Sequence, residues 1–319
     1  MGYCINATDF IGNTPLVKLA KFADNRHIQG LLLGKVESFN PTGSIKDRPA
    51  YRIISHLVYQ GLIKSGQRVV CPSSGNFGIS VAMTASAFGL GSIIVMPENF
   101  PKERQQLIAA YGGEVYLTRA DLGMDGALKA ARALCEGDRS LVFIDQFNSQ
   151  LNPTAHYLGT GPEIWKQTDG RVTFVVAGIG TGATVSGVGR FLKEKNPDVK
   201  IVGVEPSSSP LISSGKSGSH SIYGIGPNFI PETLSLDLLD RVITVTDEEA
   251  FSFTKRLVKD HGLFCGISSG AAFCGAVKYV ESFCMGNDKK PFFGVVILPD
   301  SFDRYLSLGL FERVVYERK

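Results

Sequence analysis

Lys46 closes the stretch "NPTGSIK" and opens "KDRPA", where a helix is expected to begin just after Gly43 and Ser44. A helix N-terminus carries about half a positive elementary charge, which disfavours an ammonium and favours the neutral amine. A lysine that sheds its proton can attack a carbonyl and hold it as a Schiff base. The competing reading is a solvated lysine in a charged first turn, "KDR". Three other stretches point to anion binding: "PSSGNFGIS" after "RVVC", "GIGTGATVSG" after "TFVVA", and "GISSGAA" before "FCGAVKYVESF". Each puts glycine and serine where a helix starts, so that unpaired N–H groups can face a small anion. One such turn is a weak signal, and three in one chain are not.

The second loop has a rival reading. Gly178, Gly180 and Ala183 fit the dinucleotide pattern G-x-G-x-x-[GA], and Glu205 closes the next strand where a ribose-binding acid would sit. A nicotinamide-dependent oxidoreductase would leave the other two loops unexplained and would carry its fingerprint past mid-chain. A lysine nucleophile, a phosphate-sized cradle and a polar loop for a carboxylate together meet the needs of a pyridoxal phosphate enzyme acting on an amino acid.

These loops need a scaffold, and the chain supplies one. Strand-like runs "LLLGKV", "RVVCP", "SIIVMP", "EVYLT" and "LVFID" alternate with amphipathic stretches, and the alternation resumes in "TFVVAGI", "KIVGVEP" and "FFGVVILP". That is the pattern of parallel sheets built from strand–helix–strand units. A helical segment around "PTAHYLGTGPEIW" connects the halves, and the Ser-, Gly- and Pro-rich stretch from Ser207 to Pro231 reads as a long loop. The expected fold is α/β, with two doubly wound, mainly parallel-sheet domains.

Composition narrows the functional classes. With 319 residues, 44% of them hydrophobic, and 33 basic against 30 acidic residues without a like-charge block, the chain reads as a soluble protein of two modest domains. Nucleic-acid and membrane-surface partners gain no support from that balance. No apolar run reaches membrane-spanning length and "MGYCINATDF" lacks the features of a secretory signal, so a cytoplasmic location is expected. The six cysteines form no C-x-x-C pair and read as packed thiols, and the five scattered histidines make a metal centre an unattractive reading.

The motifs "IGNTPLVKL", "NPTGSIKDRPA", "SSGNFGIS", "QFNSQLNP", "TGPEIW", "GIGTGATVSGVGRF", "GIGPNFIP", "GISSGAA" and "LPDSFDRYLS" occur in the order found in the cysteine synthase (O-acetylserine sulfhydrylase) family. The chain resembles that family, which with the core of cystathionine β-synthase belongs to the fold-type II pyridoxal phosphate enzymes. The resemblance covers nearly the whole chain. It implies pyridoxal 5'-phosphate in the cleft between a smaller mobile domain, 38–148, and a larger phosphate-binding domain, 1–37 with 149–319.

Carried over residue by residue, the resemblance makes Lys46 the Schiff-base lysine and the base that takes the α-proton. Gly180, Thr181, Gly182 and Thr184 would cradle the cofactor phosphate, with Ala183 at a usual glycine position, harmless if its φ is negative. Ser268 would face the pyridine nitrogen, although a serine of "GISSG" can also cap a helix. A neutral hydroxyl there favours β-elimination and replacement over transamination. Asn76 would contact the cofactor's ring oxygen, while Ser73, Ser74, the backbone of Asn76 and Phe77, and Gln146 would hold the substrate carboxylate.

Two residues depart from the family pattern: Phe77 replaces a threonine and Phe302 a glycine. The Phe77 ring is expected to wall the pocket or reshape the entrance for the second substrate. The implied reaction turns O-acetyl-L-serine and sulfide into L-cysteine and acetate through an aminoacrylate. Cystathionine synthesis, amine addition, cysteine desulfhydration and a catalytically silent sensor stay open because of the two phenylalanines. The resemblance also implies a homodimer and the C-terminal peptide of serine acetyltransferase as a partner.

Overall fold

The computed structural model describes residues 4–19, 30–284 and 291–311. Among the described residues, ten strands form two sheets. The larger contains β1 (Leu16–Lys18), β2 (Gly30–Val36), β7 (Phe174–Gly178), β8 (Lys200–Pro206), β9 (Arg241–Val245) and β10 (Phe292–Leu298), in the order β1-β2-β10-β7-β8-β9. Only β1 runs antiparallel to its neighbour. The smaller sheet is all parallel, in the order β5-β4-β3-β6, from β3 (Arg68–Pro72), β4 (Gly91–Pro97), β5 (Glu114–Thr118) and β6 (Leu141–Phe143). The α/β class with two mainly parallel sheets is the one expected.

Parallel strands covered by helices on both faces read as continuous apolar runs, which is why "FFGVVIL" and "SIIVMP" lack alternation. Each sheet carries its own core. One cluster around Ile54, Val69, Ile79, Ile94 and Ile108 belongs to the smaller sheet. Clusters around Val176, Val204 and Phe273, and around Val175, Leu192 and Val295, lie against the larger.

The helices follow local signals. Helix α1 (Asp47–Tyr59) begins directly after Lys46, and α2 (Asn76–Ala87) follows "SSG". The helix Asp247–His261 is bounded by a capping box of Thr246 with Glu249 and by Gly262 in the left-handed region. The connecting segment "PTAHYLGTGPEIW" is helical, with a π turn over His156–Thr160. Residues Ser207 to Pro231 run irregularly apart from the short helix Leu211–Ser214.

Among the described residues, no helix is long and apolar enough to cross a membrane, and no group of His, Cys, Asp and Glu side chains could hold a metal ion. Cys71, Cys265 and Cys274 are buried as expected of packed thiols. Cys4 is a correction, since its position in the N-terminal stretch leaves it exposed. The side chain of Cys284 lies outside the described residues.

Candidate active site

The loops that leave β7 and β10 and those that precede α1, α2 and the helix α10 (Ile267–Cys284) converge on one cleft. It is lined by Lys46, Asn76, Gly180, Thr181, Gly182, Thr184 and Ser268, and also by Gly224, Ile225 and Asp300. The Lys46 amine makes no hydrogen bond or ion pair with any described residue. Burial lowers its pKa from 10.5 to about 8, against the Asp300 carboxylate, which pulls it up. The helix start expected to depress it is present, but desolvation is the larger cause. About one amine in ten is then neutral at pH 7, ready to bond a carbonyl carbon.

The turn between β7 and α7 (Ala183–Lys195) is a backbone cradle. Gly182 has φ +75°, a conformation that favours glycine, and a side chain there would strike Leu234. Gly180 has no room either, because a Cβ would overlap the Gly224 carbonyl oxygen. Ala183 is the first helical residue and is not among the residues of positive φ, so the departure from glycine costs the turn nothing. Thr181 is fixed by its carbonyl, which accepts from Thr233 Oγ1 at 2.6 Å. Thr184 Oγ1 lies 3.3 Å from Nε2 of His156, whose Nδ1 lies 3.0 Å from Thr160 Oγ1. Burial, with the nearby Arg48 and Lys46 charges, pushes the His156 pKa well down, so this ring is neutral and supports the cradle without adding charge. We expect Gly180→Ala to displace the 224 loop at a cost of roughly 1–3 kcal/mol, read as cofactor affinity weakened about five- to a hundredfold in a fluorescence titration. An unchanged affinity would remove Gly180 from the cradle.

Ser268 sits inside the first turn of α10, and Gly266 accepts the first N–H bonds, from Ser269 and Gly270. The helix cap expected of one of these serines is therefore supplied by backbone instead. The Ser268 hydroxyl has no partner among the described residues and lines the cleft.

The substrate loop differs from the expectation. Ser73 Oγ accepts from Gly75 N at 3.3 Å and Gly78 N at 3.1 Å, so the hydroxyl shapes its own turn. The Ser74 carbonyl accepts from Arg104 Nη1 at 2.6 Å, and the Gln146 carbonyl from Asn152 Nδ2 at 2.7 Å. Of these residues only Asn76 lines the cleft; Ser73, Ser74, Phe77 and Gln146 do not. The Phe77 ring is 2% exposed within the core of the smaller sheet, because the second residue of α2 points toward that sheet rather than toward the cleft. Phe302 is also turned away. It packs with Phe264, Tyr305 and Phe311 in an aromatic cluster, with centroids 4.8 to 5.9 Å apart. Neither ring walls the pocket.

The dinucleotide reading fails on Glu205. That carboxylate is buried and accepts from Ile212 N, Ser213 N and Ser213 Oγ, holding the short helix that follows β8. Its bonds serve that helix, and it does not line the cleft formed by the 180–184 turn. Residues missed in the sequence include Asp300, Arg304, Thr233 and His156; the motif "LPDSFDRYLS" was visible, but it gave no sign of which polar side chains enter the site.

Comparison with known proteins settles the family. Residues 7–289 match the family described as "Pyridoxal-phosphate dependent enzyme". The chain belongs to this family. The enzyme is 39% identical over 307 residues to a cysteine synthase of Staphylococcus aureus, covering 96% of each chain. It superposes on O-acetyl serine sulfhydrylase isoform 3 from Entamoeba histolytica with a TM-score of 0.92 at 34% identity, covering 99% of this chain and 94% of that one. A hydrogen sulfide-producing enzyme from Fusobacterium nucleatum gives a TM-score of 0.89 at 36% identity, covering 95% and 100%. It is a fold-type II, pyridoxal phosphate-dependent enzyme of the cysteine synthase type. The residues present fit that cofactor: an unpartnered amine of lowered pKa, a cradle with no room for side chains at Gly180 and Gly182, and a free hydroxyl at Ser268 share one cleft.

Proposed function

We propose that the enzyme replaces the β-substituent of a serine derivative, O-acetyl-L-serine, with sulfide to give L-cysteine and acetate. The observation that carries this reading is the convergence of Lys46, the 180–184 turn and Ser268 on one cleft, in a chain related end to end to a cysteine synthase. The bound cofactor supplies an electron sink for the pair released at the substrate Cα.

The chain's own residues do the rest. Lys46 holds the cofactor and, once freed, takes the α-proton on Nζ. Gly180 to Thr184 hold the phosphate through backbone N–H groups and the threonine hydroxyls. Ser268 would meet the pyridine nitrogen with a neutral hydroxyl, which would limit electron withdrawal and favour departure of a β-leaving group over transamination. Asn76 would face the ring oxygen of the cofactor. The turn at Ser73, Ser74 and the backbone of Asn76 and Phe77, with Gln146, takes the substrate carboxylate; its position beside the cleft supports a movement of 38–148 toward 1–37 and 149–319 when substrate enters.

The test is the visible absorbance of purified enzyme before and after O-acetylserine, then after sulfide. The expected result is a cofactor band that changes with the donor and returns with sulfide as cysteine appears. A band indifferent to O-acetylserine would overturn the donor assignment.

Likeness to the Fusobacterium enzyme favours a second reading, release of sulfide from cysteine in the same cleft, distinguished by measuring sulfide formed from cysteine alone. A homodimer is part of the proposal, supported by the exposed apolar side chains of Phe10, Phe39 and Tyr59. The C-terminal peptide of serine acetyltransferase is a further candidate for the carboxylate-binding loop, and titration with that peptide decides it.

A further inference from the structure

The polar residues of "LPDSFDRYLS" have no role in the reading above. Asp300 lines the cleft with only 1% of its surface exposed. Its Oδ2 accepts from Asn76 Nδ2 at 2.6 Å and from Tyr305 Oη at 2.5 Å, while its Oδ1 is buried without a partner. Arg304, also buried, donates from Nη1 to Asn76 Oδ1 at 2.8 Å and from Nη2 to the Thr42 carbonyl at 2.7 Å. The backbone around Asp300 joins the other loops of the site: Ile45 N donates to Pro299 O, Ser301 N to Gly43 O, and Gly266 N to Asp300 O.

Asn76 is thus held at both ends of its amide. Arg304 offers only donors and the Asp300 carboxylate only acceptors, so the amide can face one way, oxygen to Arg304 and nitrogen to Asp300. The nitrogen keeps a second N–H, and Asn76 lines the cleft. We propose that Asp300, together with Arg304, is a positioning residue for the reaction: the pair fixes Asn76 as a donor toward an oxygen of the bound cofactor, and the Asp300 carboxylate sets negative charge beside Lys46. This rests on Lys46 being the cofactor-bearing lysine. The charged and titratable groups facing Asp300 are Lys46, Arg304, Arg104, Tyr305 and Cys265. Burial raises the carboxyl pKa above its ordinary value, and Arg304, the Tyr305 and Asn76 hydrogen bonds, and Arg104 offset part of that rise in favour of the charged form.

The experiment titrates the visible band of the resting holoenzyme with pH, in the parent and in Asp300→Asn. Asparagine keeps an acceptor for Asn76 and removes the charge. The expected result is full cofactor occupancy with a titration midpoint lower by about one pH unit, a tenfold loss of proton affinity at the lysine–cofactor linkage, because the neighbouring anion is gone. A midpoint equal to that of the parent overturns the proposal. Should Asp300→Asn fail to fold, Arg304→Lys is read instead: it keeps the charge but cannot bridge Asn76 and Thr42, and a fall of about fivefold or more in cofactor affinity is expected, with unchanged affinity counting against the pinned amide. A Lys46→Ala variant that retains the parent's band would instead sink the reading of Lys46, leaving Asp300 unimplicated.

Discussion

Lys46→Ala is expected to lose cysteine formation by about 10²–10⁴-fold or more, the range typical of removing a positioned general base, and the loss of the cofactor's attachment adds to it. The amine has no partner among the described residues, and burial brings its pKa down to about 8. The same value predicts that cofactor capture by the apo-enzyme quickens as pH rises toward about 8 and levels off above it, because only the neutral amine bonds a carbonyl. Both are read by following visible absorbance and cysteine production in the variant and the parent. A variant within about tenfold of the parent's rate would require another base, in conflict with the usual size of this effect.

The second large effect is on stability. Glu163, in α6 (Gly161–Gln167), accepts from Lys35 Nζ, Arg48 Nη1 and Arg48 Nη2, each at 2.7 Å, and Glu37 pairs with Arg48 from the other side. Lys35 is wholly buried, with the Thr14 carbonyl and Gln167 as its other acceptors. Glu163→Ala leaves the buried Lys35 charge without its ion-pair partner, with only the more distant Glu37 carboxylate, itself held by Arg48, to offset it, at an expected cost of about 3–5 kcal/mol. Urea unfolding measures it, and a loss below about 1 kcal/mol would mean that the acceptors left behind, or entering water, suffice. Removing both charges, as Lys35→Met with Glu163→Leu, is expected to recover much of the loss. Desolvation raises the Glu163 pKa, but the Arg48 and Lys35 bonds outweigh it and bring it down from 4.5 to about 2. The folded-state value is the lower one, so this contribution is full above about pH 4.5 and fades as pH falls toward 2. Because Arg48 lies two residues beyond Lys46, the network also seats the helix that carries the catalytic amine.

Much of this could be read from the chain. The buried parallel strands announced themselves as apolar runs, and the cradle glycines were visible because close backbone approach at Gly180 and positive φ at Gly182 admit little else. Lys46 stood out by its place at a helix start. What escaped was set by distance along the chain: Asn76 meets partners 224 and 228 positions away, in Asp300 and Arg304, and no local spacing encodes such a meeting. Phe77 misled for a related reason, since its loop was legible but the direction of its ring depended on where the smaller sheet would lie. Glu205 shows the reverse, a residue matching a pattern at the end of a strand while its bonds serve a short helix nearby.

The place of β10 in the larger sheet bears on how the enzyme comes into being. This strand is late in the chain yet lies at the centre, between β2 near the beginning and β7 in the middle, and the loop that follows it brings Asp300 to Lys46 and Asn76. Pairings between such remote segments carry a high loop-closure entropy and come slowly. A growing chain on the ribosome therefore exposes a lysine and a phosphate cradle well before the two share a cleft, and cofactor loading waits on one of the last strands to arrive.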